Sequence, residues 1–410
     1  MELNNETKVL IEYLERSPLF NLSLTNKELF HSNFIAWFGE MYPDLFIELM
    51  NGLLGSNKWP EGLNPDKMEI RREFKNFDIS VFDDNNLKNA KPRLIIENKV
   101  KSVPTHEQLL EYEGKIDNDK NVALLLLTMN EQLHTATDMD NTTRWTLANY
   151  TRMSNCLEPI AKKIPDPYHK FLVEDYCKYV HCLETLINLF TQSESFLYRS
   201  EDYRIQENLG LHDVCGKRKV QYAYSQLVNA LQTKHVNVVK KVIELGCASN
   251  EVQVAWAYTN APLIEVRIRT RADVDEFILI QVQGKQYRHC VEFFDKSVGK
   301  RIKKIDKKHF GPSDAGLQFL RESYRNVLFG EYALANYPTF EGKPKVFGQR
   351  QKGGEEGYCK YCNGMPSSYN GLVSCFVYQW IELPDQISIP DLIEAVVADT
   401  INLLNLYNNK

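Results

Sequence analysis

The sequence predicts an α/β domain in the first half of the chain, a mixed β-sheet flanked by helices, followed by a C-terminal α+β domain. In the first half, apolar runs of strand length alternate with segments that show the apolar spacing of helices. From about residue 200 onward, strand-like segments follow one another with fewer helices between them. A chain of 410 residues is long enough for two domains, and we place them at 1–195 and 196–410.

The elements of the first half follow from local signals. Pro18 separates two helical stretches, Pro43 bends the second, and Pro104 with Thr105 introduces the helix around Gln108. Alternating or continuous β-branched and apolar residues mark the strands. The predicted order is helices over 6–17 and 25–55, strands over 67–75, 77–82 and 93–100, the Gln108 helix, strands over 121–129 and 144–147, and helices over 151–163 and 167–192.

The second half is predicted to form its own antiparallel sheet. Ile278 to Gly284 ends in a clean alternation of apolar and polar residues, as expected for a strand. The predicted order is a helix over 219–245, strands over 252–259, 262–268 and 276–284, a helix over 314–328, a loop over 342–369, a strand over 373–382 and a helix over 389–406.

Two predicted strands carry charged residues where apolar ones are expected. If the turn between the strands centres between Leu87 and Lys88, Asp78 lies directly opposite Glu97. Side chains alternate along a strand, so Lys99 points to the same face as Glu97, whereas a register shifted by one residue would move Asp78 away. Carboxylates and amines are rarely buried unless they pair with each other or bind an ion. The two strands therefore predict a cluster with a chemical role.

A pair of carboxylates is a suitable site for Mg²⁺. This ion prefers oxygen ligands, keeps several waters and takes one or two protein carboxylates together with substrate phosphates. It lowers the pKa of bound water and offsets charge on a phosphate in the transition state. A lysine beside it, here Lys99, can orient the attacking water. Metal-assisted phosphodiester hydrolysis is the reaction that fits these residue types.

Asp78 with Glu97-Asn98-Lys99 resembles the Asp…(Asp/Glu)-x-Lys signature of the PD-(D/E)xK nuclease superfamily. The resemblance implies a restriction-endonuclease-like fold and a Mg²⁺ or Mn²⁺ cofactor. It makes Asp78, Glu97 and the Asn98 carbonyl the metal ligands, and Lys99 the catalytic lysine. The sequence departs from the pattern in one place, because Phe77 stands where the superfamily's proline would be.

Further residues resemble parts of the same superfamily. Gln108 and Tyr112 lie four residues apart on a helix and look like its Gln-x-x-x-Tyr motif, which would position substrate. Glu28 and His31 resemble the first helix of an uncharacterised bacterial branch, and would be accessory groups near a second metal or the scissile phosphate. On the residues alone, these four can equally be ordinary helix-surface and core-edge side chains.

The resemblance implies a Mg²⁺-dependent deoxyribonuclease with DNA as partner, with defence against foreign DNA as its expected role. The alternative is a catalytically silent module that binds nucleic acid or protein on a nuclease-like fold. A ribonuclease is a third option, because metal chemistry does not distinguish RNA from DNA. Cutting of both strands by one centre would need two passes or a homodimer.

Composition restricts the remaining possibilities. A net charge of −5 excludes a histone-like coat but leaves room for a local basic groove. The nine cysteines, an odd number, favour reduced thiols over a disulfide framework, and we expect a cytoplasmic protein without a membrane segment. Basic clusters at 217–219, 300–308 and 343–352 are candidate phosphate contacts.

Two motifs of the second half have competing interpretations. Cys359 and Cys362 have the spacing of half a zinc site, but too few further ligands are in evidence. Tyr287 and Arg288 suit either nucleic-acid contact or a polar sheet face, and we favour the sheet face.

Overall fold

The computed structural model describes residues 5–23, 27–55, 63–83, 91–100, 106–129, 144–192, 201–234, 236, 238–242, 252–257, 263–269, 275–284, 286–294, 338, 374–384 and 387–408. The chain forms two compact units. The first comprises Met1–Gln192 and Arg204–Arg218, and the second comprises Ser193–Tyr203 and Lys219–Lys410. The domain boundary expected between residues 195 and 196 falls outside the described residues and stays a prediction.

The first unit has the predicted α/β architecture. Its strands are β1 (Glu69–Phe74), β2 (Phe77–Phe82), β3 (Leu94–Lys99), β4 (Ala123–Thr128) and β5 (Thr146–Asn149). Its helices are α1 (Asn5–Arg16), α2 (Pro18–Ser23), α3 (Lys27–Met41), α4 (Pro43–Leu54), α5 (His106–Lys115), α6 (Tyr150–Ala161) and α7 (Pro167–Thr191). The helix predicted over 25–55 is thus two helices, because Pro43 has no N–H to continue the first of them.

The five strands form one mixed sheet in the order β1-β2-β3-β4-β5. β1, β2 and β3 are antiparallel neighbours, whereas β4 runs parallel to β3 and β5 parallel to β4. Lys75 and Asn76 make the turn between β1 and β2, and both have positive φ, as the tightest hairpin turns require. The restriction-endonuclease-like, mixed-sheet prediction is confirmed.

Helices cover both faces of this sheet. On one face, Ile79, Leu94 and Ile96 pack in the main core, which also contains residues of α3, α4, α6 and α7. On the other face, Ile95 and Leu126 pack in a smaller core with residues of α5. Neighbouring residues of β3 therefore enter different cores, which is the alternation that a doubly covered strand requires.

Side-chain caps fix where α6 and α7 begin. Asn149 accepts a hydrogen bond from the Arg152 N–H (2.7 Å) at the start of α6, and Asp166 accepts one from the His169 N–H (2.8 Å) at the start of α7. Each cap satisfies an amide that the first helical turn leaves unpaired.

The second unit contains a six-stranded sheet in the order β11-β10-β9-β8-β7-β6. Its strands are β6 (Val238–Val242), β7 (Val252–Ala257), β8 (Leu263–Arg269), β9 (Asp275–Gln283), β10 (Gln286–Phe294) and β11 (Ser374–Glu382). The remaining described helices of the chain are α8 (Glu201–Asn208), α9 (His212–Thr233) and α10 (Ile389–Asn408). The prediction that the C-terminal half contains a second sheet, in an α+β arrangement, is confirmed.

Two details of that prediction were wrong. The helix expected over 219–245 ends at Thr233, and Val238–Val242 forms β6 because its β-branched valines favour a strand. β6 pairs with β7 in parallel, so the sheet is not wholly antiparallel. The strand β10 was not predicted, and it follows β9 after Gly284, which has a positive φ.

Two candidate contact residues of the second half, Tyr287 and Arg218, are buried. Tyr287 is 0% exposed and donates a hydrogen bond to Asp399 Oδ2 (2.7 Å), so its ring is not available for stacking on a base. Arg218 is also buried, close to the Glu184 carboxylate, at 3.3 Å. The helix over 314–328, the loop over 342–369, the basic clusters at 300–308 and 343–352, and the Cys359–Cys362 pair lie outside the described residues. Nowhere in the described part of the chain is a helix both long and apolar enough to cross a bilayer.

Candidate active site

The strands β2 and β3 bring the predicted carboxylates together. Ile79 pairs with Ile96 and Val81 with Leu94, so the same register continued by one residue sets Asp78 opposite Glu97. This is the register that the sequence predicted. The structure thereby excludes the register shifted by one residue, which would have moved Asp78 to the other face.

At Asp78 the hydrogen bonding between the two strands no longer runs from backbone to backbone. The Asn98 N–H donates a hydrogen bond to Asp78 Oδ2 (2.7 Å), so a carboxylate side chain takes the place of a backbone carbonyl. Because the N–H and C=O of a strand residue point to the same edge, the Asn98 carbonyl faces the same edge as Asp78. The backbone of β3 is thereby tied to the carboxylate at the end of β2.

Glu97 and Lys99 form an ion pair on the face of β3 that α5 covers. The Lys99 Nζ lies 2.6 Å from Glu97 Oε1, and the two side chains are 13% and 1% exposed. The second carboxylate oxygen, Glu97 Oε2, is buried and has no hydrogen-bond partner among the described residues. Asp78, Glu97 and Lys99 are called the carboxylate–lysine cluster below.

The cluster holds more negative charge than Lys99 compensates. Burial, and next the charge of Asp78, raise the pKa of Glu97 to about 7. Burial also raises the pKa of Asp78, although the Asn98 N–H opposes this. Burial alone would lower the pKa of Lys99, but the carboxylates of Glu97, Asp78 and Glu28 together outweigh it and the pKa is raised, so the amine stays charged. An additional positive charge beside Asp78 and Glu97 would be stabilised.

Glu28 joins the cluster from the first turn of α3. Its Oε1 accepts a hydrogen bond from the Val100 N–H (3.2 Å), just beyond the end of β3. Its charge contributes to raising the pKa of both Asp78 and Lys99, which shows that the carboxylate lies near them. The structure thus brings this predicted accessory residue to the site.

His31, the other accessory candidate, lies elsewhere. Its ring is 0% exposed, and Nδ1 is 2.6 Å from the Tyr176 hydroxyl in the main core. The rings of Tyr150 and Tyr179 lie 4.6 and 5.8 Å from it, centroid to centroid. Glu28 and His31 are about one turn of α3 apart, yet Glu28 reaches the end of β3 whereas His31 is buried in the main core. The three-residue spacing therefore does not place His31 at the cluster.

The predicted Gln-x-x-x-Tyr pair lies on α5, beside the cluster. Gln108 Nε2 donates a hydrogen bond to the Tyr112 hydroxyl (2.9 Å), and the Tyr112 ring packs against Phe77 at 5.4 Å. Burial, and next the Glu97 charge, raise the pKa of Tyr112. The pair therefore borders the face of β3 from which Glu97 and Lys99 project.

The sequence did not predict the role of the Asn98 side chain, nor the involvement of Ser32 and Tyr150. Asn98 points away from Glu97 into the main core, where its amide contacts Ser32 Oγ (3.0 Å) and its carbonyl accepts the Tyr150 hydroxyl. An available signal was the amide itself, which stands in a strand whose other inward residues are leucine and isoleucine.

The donor set fits a hard divalent cation. Asp78 and Glu97 offer carboxylate oxygens, of which Glu97 Oε2 has no hydrogen-bond partner among the described residues, and the Asn98 carbonyl faces the same strand edge as Asp78. The described residues include no group of three or more His, Cys, Asp or Glu in metal-binding arrangement.

Comparison with known proteins gives one match. Residues 19–178 match the family model described as the PD-(D/E)XK nuclease superfamily. No curated protein and no solved structure matches the chain at a significant level. The matched segment contains the carboxylate–lysine cluster, Glu28, and the Gln108–Tyr112 pair, and its mixed sheet is the one expected for this superfamily. Over residues 19–178, the chain is therefore similar to the PD-(D/E)XK nuclease superfamily.

Proposed function

We propose that the first unit hydrolyses DNA phosphodiester bonds with the help of Mg²⁺ or Mn²⁺. The observation that carries the proposal is the carboxylate–lysine cluster, in which the buried Glu97, the half-buried Asp78 and a charged amine meet at one strand end. Nucleases of this superfamily generally use divalent metal ions. Carboxylates whose pKa is raised by burial and by neighbouring carboxylates are costly to a fold, and a site that binds a cation gives them a function.

Asp78, Glu97 and the Asn98 carbonyl would hold the cation. When bound, such an ion lowers the pKa of a water molecule and offsets charge that grows on the phosphate. Glu28, held by the Val100 N–H, adds a third carboxylate at the same strand end. Because the pKa of Glu97 is raised to about 7, a cation held there would favour the deprotonated carboxylate, and we expect its binding to release a proton near neutral pH.

Lys99 is the residue that we assign to the reacting phosphate. Its ion pair with Glu97 Oε1 fixes the amine, and its partial exposure leaves it open to a substrate. A charged amine there stabilises negative charge on a phosphate oxygen and orients the attacking water. Gln108 and Tyr112 border the same face and would position the nucleic acid.

The biological setting stays a prediction. Defence against foreign DNA, a cytoplasmic location, Mg²⁺ rather than Mn²⁺, and a homodimer that cuts both strands are expectations from resemblance. RNA cleavage and a silent, binding-only protein are outcomes that the assay below separates from DNA hydrolysis.

The test is a cleavage assay with plasmid, linear DNA and single-stranded RNA in Mg²⁺, Mn²⁺ or EDTA. We expect metal-dependent DNA cleavage by the wild type, and a rate reduced at least about 100-fold in Asp78→Asn, Glu97→Gln and Lys99→Met, since each removes a charge needed in the transition state. These substitutions keep the size of the side chain nearly constant.

Glu48 and Lys163 provide a matched control. They form an exposed ion pair (2.7 Å) in the same unit, so Glu48→Gln and Lys163→Met make the same chemical changes away from the cluster. We expect both to retain wild-type rates. Cleavage that survives all three cluster substitutions would refute the assignment, and DNA binding without cleavage in any metal would favour the silent module.

A further inference from the structure

The Asn98 side chain is an amide buried in an apolar layer directly behind the carboxylate–lysine cluster. It points to the opposite face of β3 from Glu97 and Lys99, and it is 0% exposed, as are Leu94 and Ile96 on the same face. A buried amide destabilises a fold unless its donors and acceptor are hydrogen-bonded. A leucine or isoleucine would satisfy the packing at this position without that requirement.

The polar atoms of this amide are all bonded. Nδ2 donates to the Glu28 carbonyl (2.8 Å) and to Ser32 Oγ (3.0 Å), and Oδ1 accepts from the Tyr150 hydroxyl. The backbone N–H of the same residue donates to Asp78. One residue of β3 therefore contacts β2, the first turn of α3 and the first residue of α6.

We propose that Asn98 and Tyr150 are positioning residues that hold Glu28 and Asp78 in place around the cation site. The inference rests on the proposed function, because it assigns these residues to the same metal centre. The Glu28 carboxylate projects from the backbone that Asn98 holds, so the amide sets the distance from α3 to the strand that carries Glu97 and Lys99. The Glu28 carbonyl can only accept, so it sets the amide orientation in which Nδ2 faces α3, and Tyr150 holds that orientation by donating to Oδ1.

Ser32 strengthens this linkage within α3. Its hydroxyl donates to the Glu28 carbonyl (3.0 Å) and accepts from Asn98, so the first turn of the helix and the strand share one closed set of hydrogen bonds. His31 is adjacent to Tyr150, with ring centroids 4.6 Å apart, and supports the ring that carries the hydroxyl. This gives His31 a place behind the site instead of in it.

The experiment compares the wild type with Asn98→Val, Tyr150→Phe and the double variant. Valine suits a buried strand, and the double variant removes the amide and the hydroxyl together, so the Tyr150 oxygen is not left buried without a partner. Tyr13→Phe is the control, since it deletes a hydroxyl that donates to Asp175 Oδ1 (2.7 Å) elsewhere in the same unit. The measurements are Mn²⁺ affinity by calorimetry without DNA, thermal unfolding without metal, and kcat and KM for plasmid cleavage.

We expect Asn98→Val to weaken Mn²⁺ binding by about 10- to 100-fold and to lower kcat with little change in KM, as is typical of residues that orient metal ligands. Tyr150→Phe should change both in the same direction by a smaller factor. The double variant should regain thermal stability relative to Asn98→Val but should not regain Mn²⁺ affinity. Tyr13→Phe should keep wild-type affinity and kcat.

The failure of this inference differs from the failure of the proposed function. If the wild type binds Mn²⁺ and cleaves DNA, and both single variants keep its affinity and kcat while unfolding at lower temperature, Asn98 and Tyr150 are structural only. Recovery of Mn²⁺ affinity in step with stability in the double variant would also overturn the inference. A wild type that neither binds Mn²⁺ nor cleaves DNA overturns the function itself, and the inference with it.

Discussion

At the scale of single residues, Glu97 has the environment that most clearly separates a site from a surface. One oxygen pairs with Lys99, the other is buried with no hydrogen-bond partner among the described residues, and Asp78 faces it across the strands. Its pKa is raised to about 7, first by burial and then by Asp78. Because Glu97 loses its proton near neutral pH, we expect metal affinity to increase with pH and its contribution to the stability of the metal-free protein to decrease.

The first consequence concerns metal affinity. Because the carboxylate must be deprotonated to bind a cation, we expect Mn²⁺ affinity to rise as the pH increases from roughly 6 to 8. Calorimetry in buffers of different ionisation enthalpy would detect the released proton. An affinity that stays constant over this range would mean that Glu97 is already ionised in the metal-free protein.

The metal-free protein should show the reverse trend in stability. The folded chain keeps a proton on Glu97 up to a pH of about 7, whereas the unfolded chain releases it near the ordinary value of 4.5. This stabilising contribution is therefore complete at low pH and is lost as the pH rises through 7. The difference in melting temperature between wild type and Glu97→Gln, measured from about pH 5 to 8 in EDTA, isolates it from the other carboxylates.

At the scale of elements, the two faces of β3 carry different residues of the site. Glu97 and Lys99 project toward α5, while Asn98 projects toward α3 and α6. The position of α3 therefore matters for the site, because Glu28 lies in the first turn of that helix and Gly39 near its other end packs against β1. A β-carbon at Gly39 would overlap Ile70 Cδ1 and lie 2.9 Å from Phe46 Cδ2.

The same substitution in two helices should have opposite effects on stability. Gly39→Ala should destabilise the protein by about 1–3 kcal/mol, because α3 cannot approach β1 as closely. Gly114→Ala in α5 should stabilise it by about 0.5–1 kcal/mol, since that position is exposed and an added β-carbon meets nothing within 4 Å. Urea denaturation of the two variants checks both signs, and equal effects would show that α3 is not closely packed on the sheet.

At the scale of the whole molecule, the proposed chemistry belongs to one unit. All residues of the carboxylate–lysine cluster, with Glu28, Asn98 and Tyr112, lie in the unit formed by Met1–Gln192 and Arg204–Arg218. The family match ends at residue 178, so it says nothing about the six-stranded sheet of the second unit.

Metal binding should stabilise the first unit selectively. A ligand at about 100 times its dissociation constant stabilises the unit that binds it by about 2.7 kcal/mol. In scanning calorimetry of the full chain, we expect Mn²⁺ to raise the melting temperature of one transition and leave the other unchanged. The Asp78→Asn variant should show no shift, and an equal shift of both transitions would show that the two units unfold together.

The sequence by itself determined the strands of the first unit and placed the cluster residues on two of them. Strand periodicity gave β2 and β3, and a turn centred between Leu87 and Lys88 predicted the register in which Asp78 faces Glu97, whereas only the structure excluded a register shifted by one residue. The spacing of Gln108 and Tyr112 also predicted their contact, because residues four apart on a helix are neighbours. These features are local, or depend on one pairing of adjacent strands.

Only the tertiary structure decided what lies behind the cluster. The spacing of Glu28 and His31 gave no sign that one reaches the strand end while the other is enclosed by tyrosines of α6 and α7, elements more than 100 residues away. The pairing of Asn98 with Tyr150 likewise joins residues 52 positions apart. Burial and hydrogen-bond partners of this kind depend on which helices pack against a strand. Local sequence patterns do not indicate which distant helices these are.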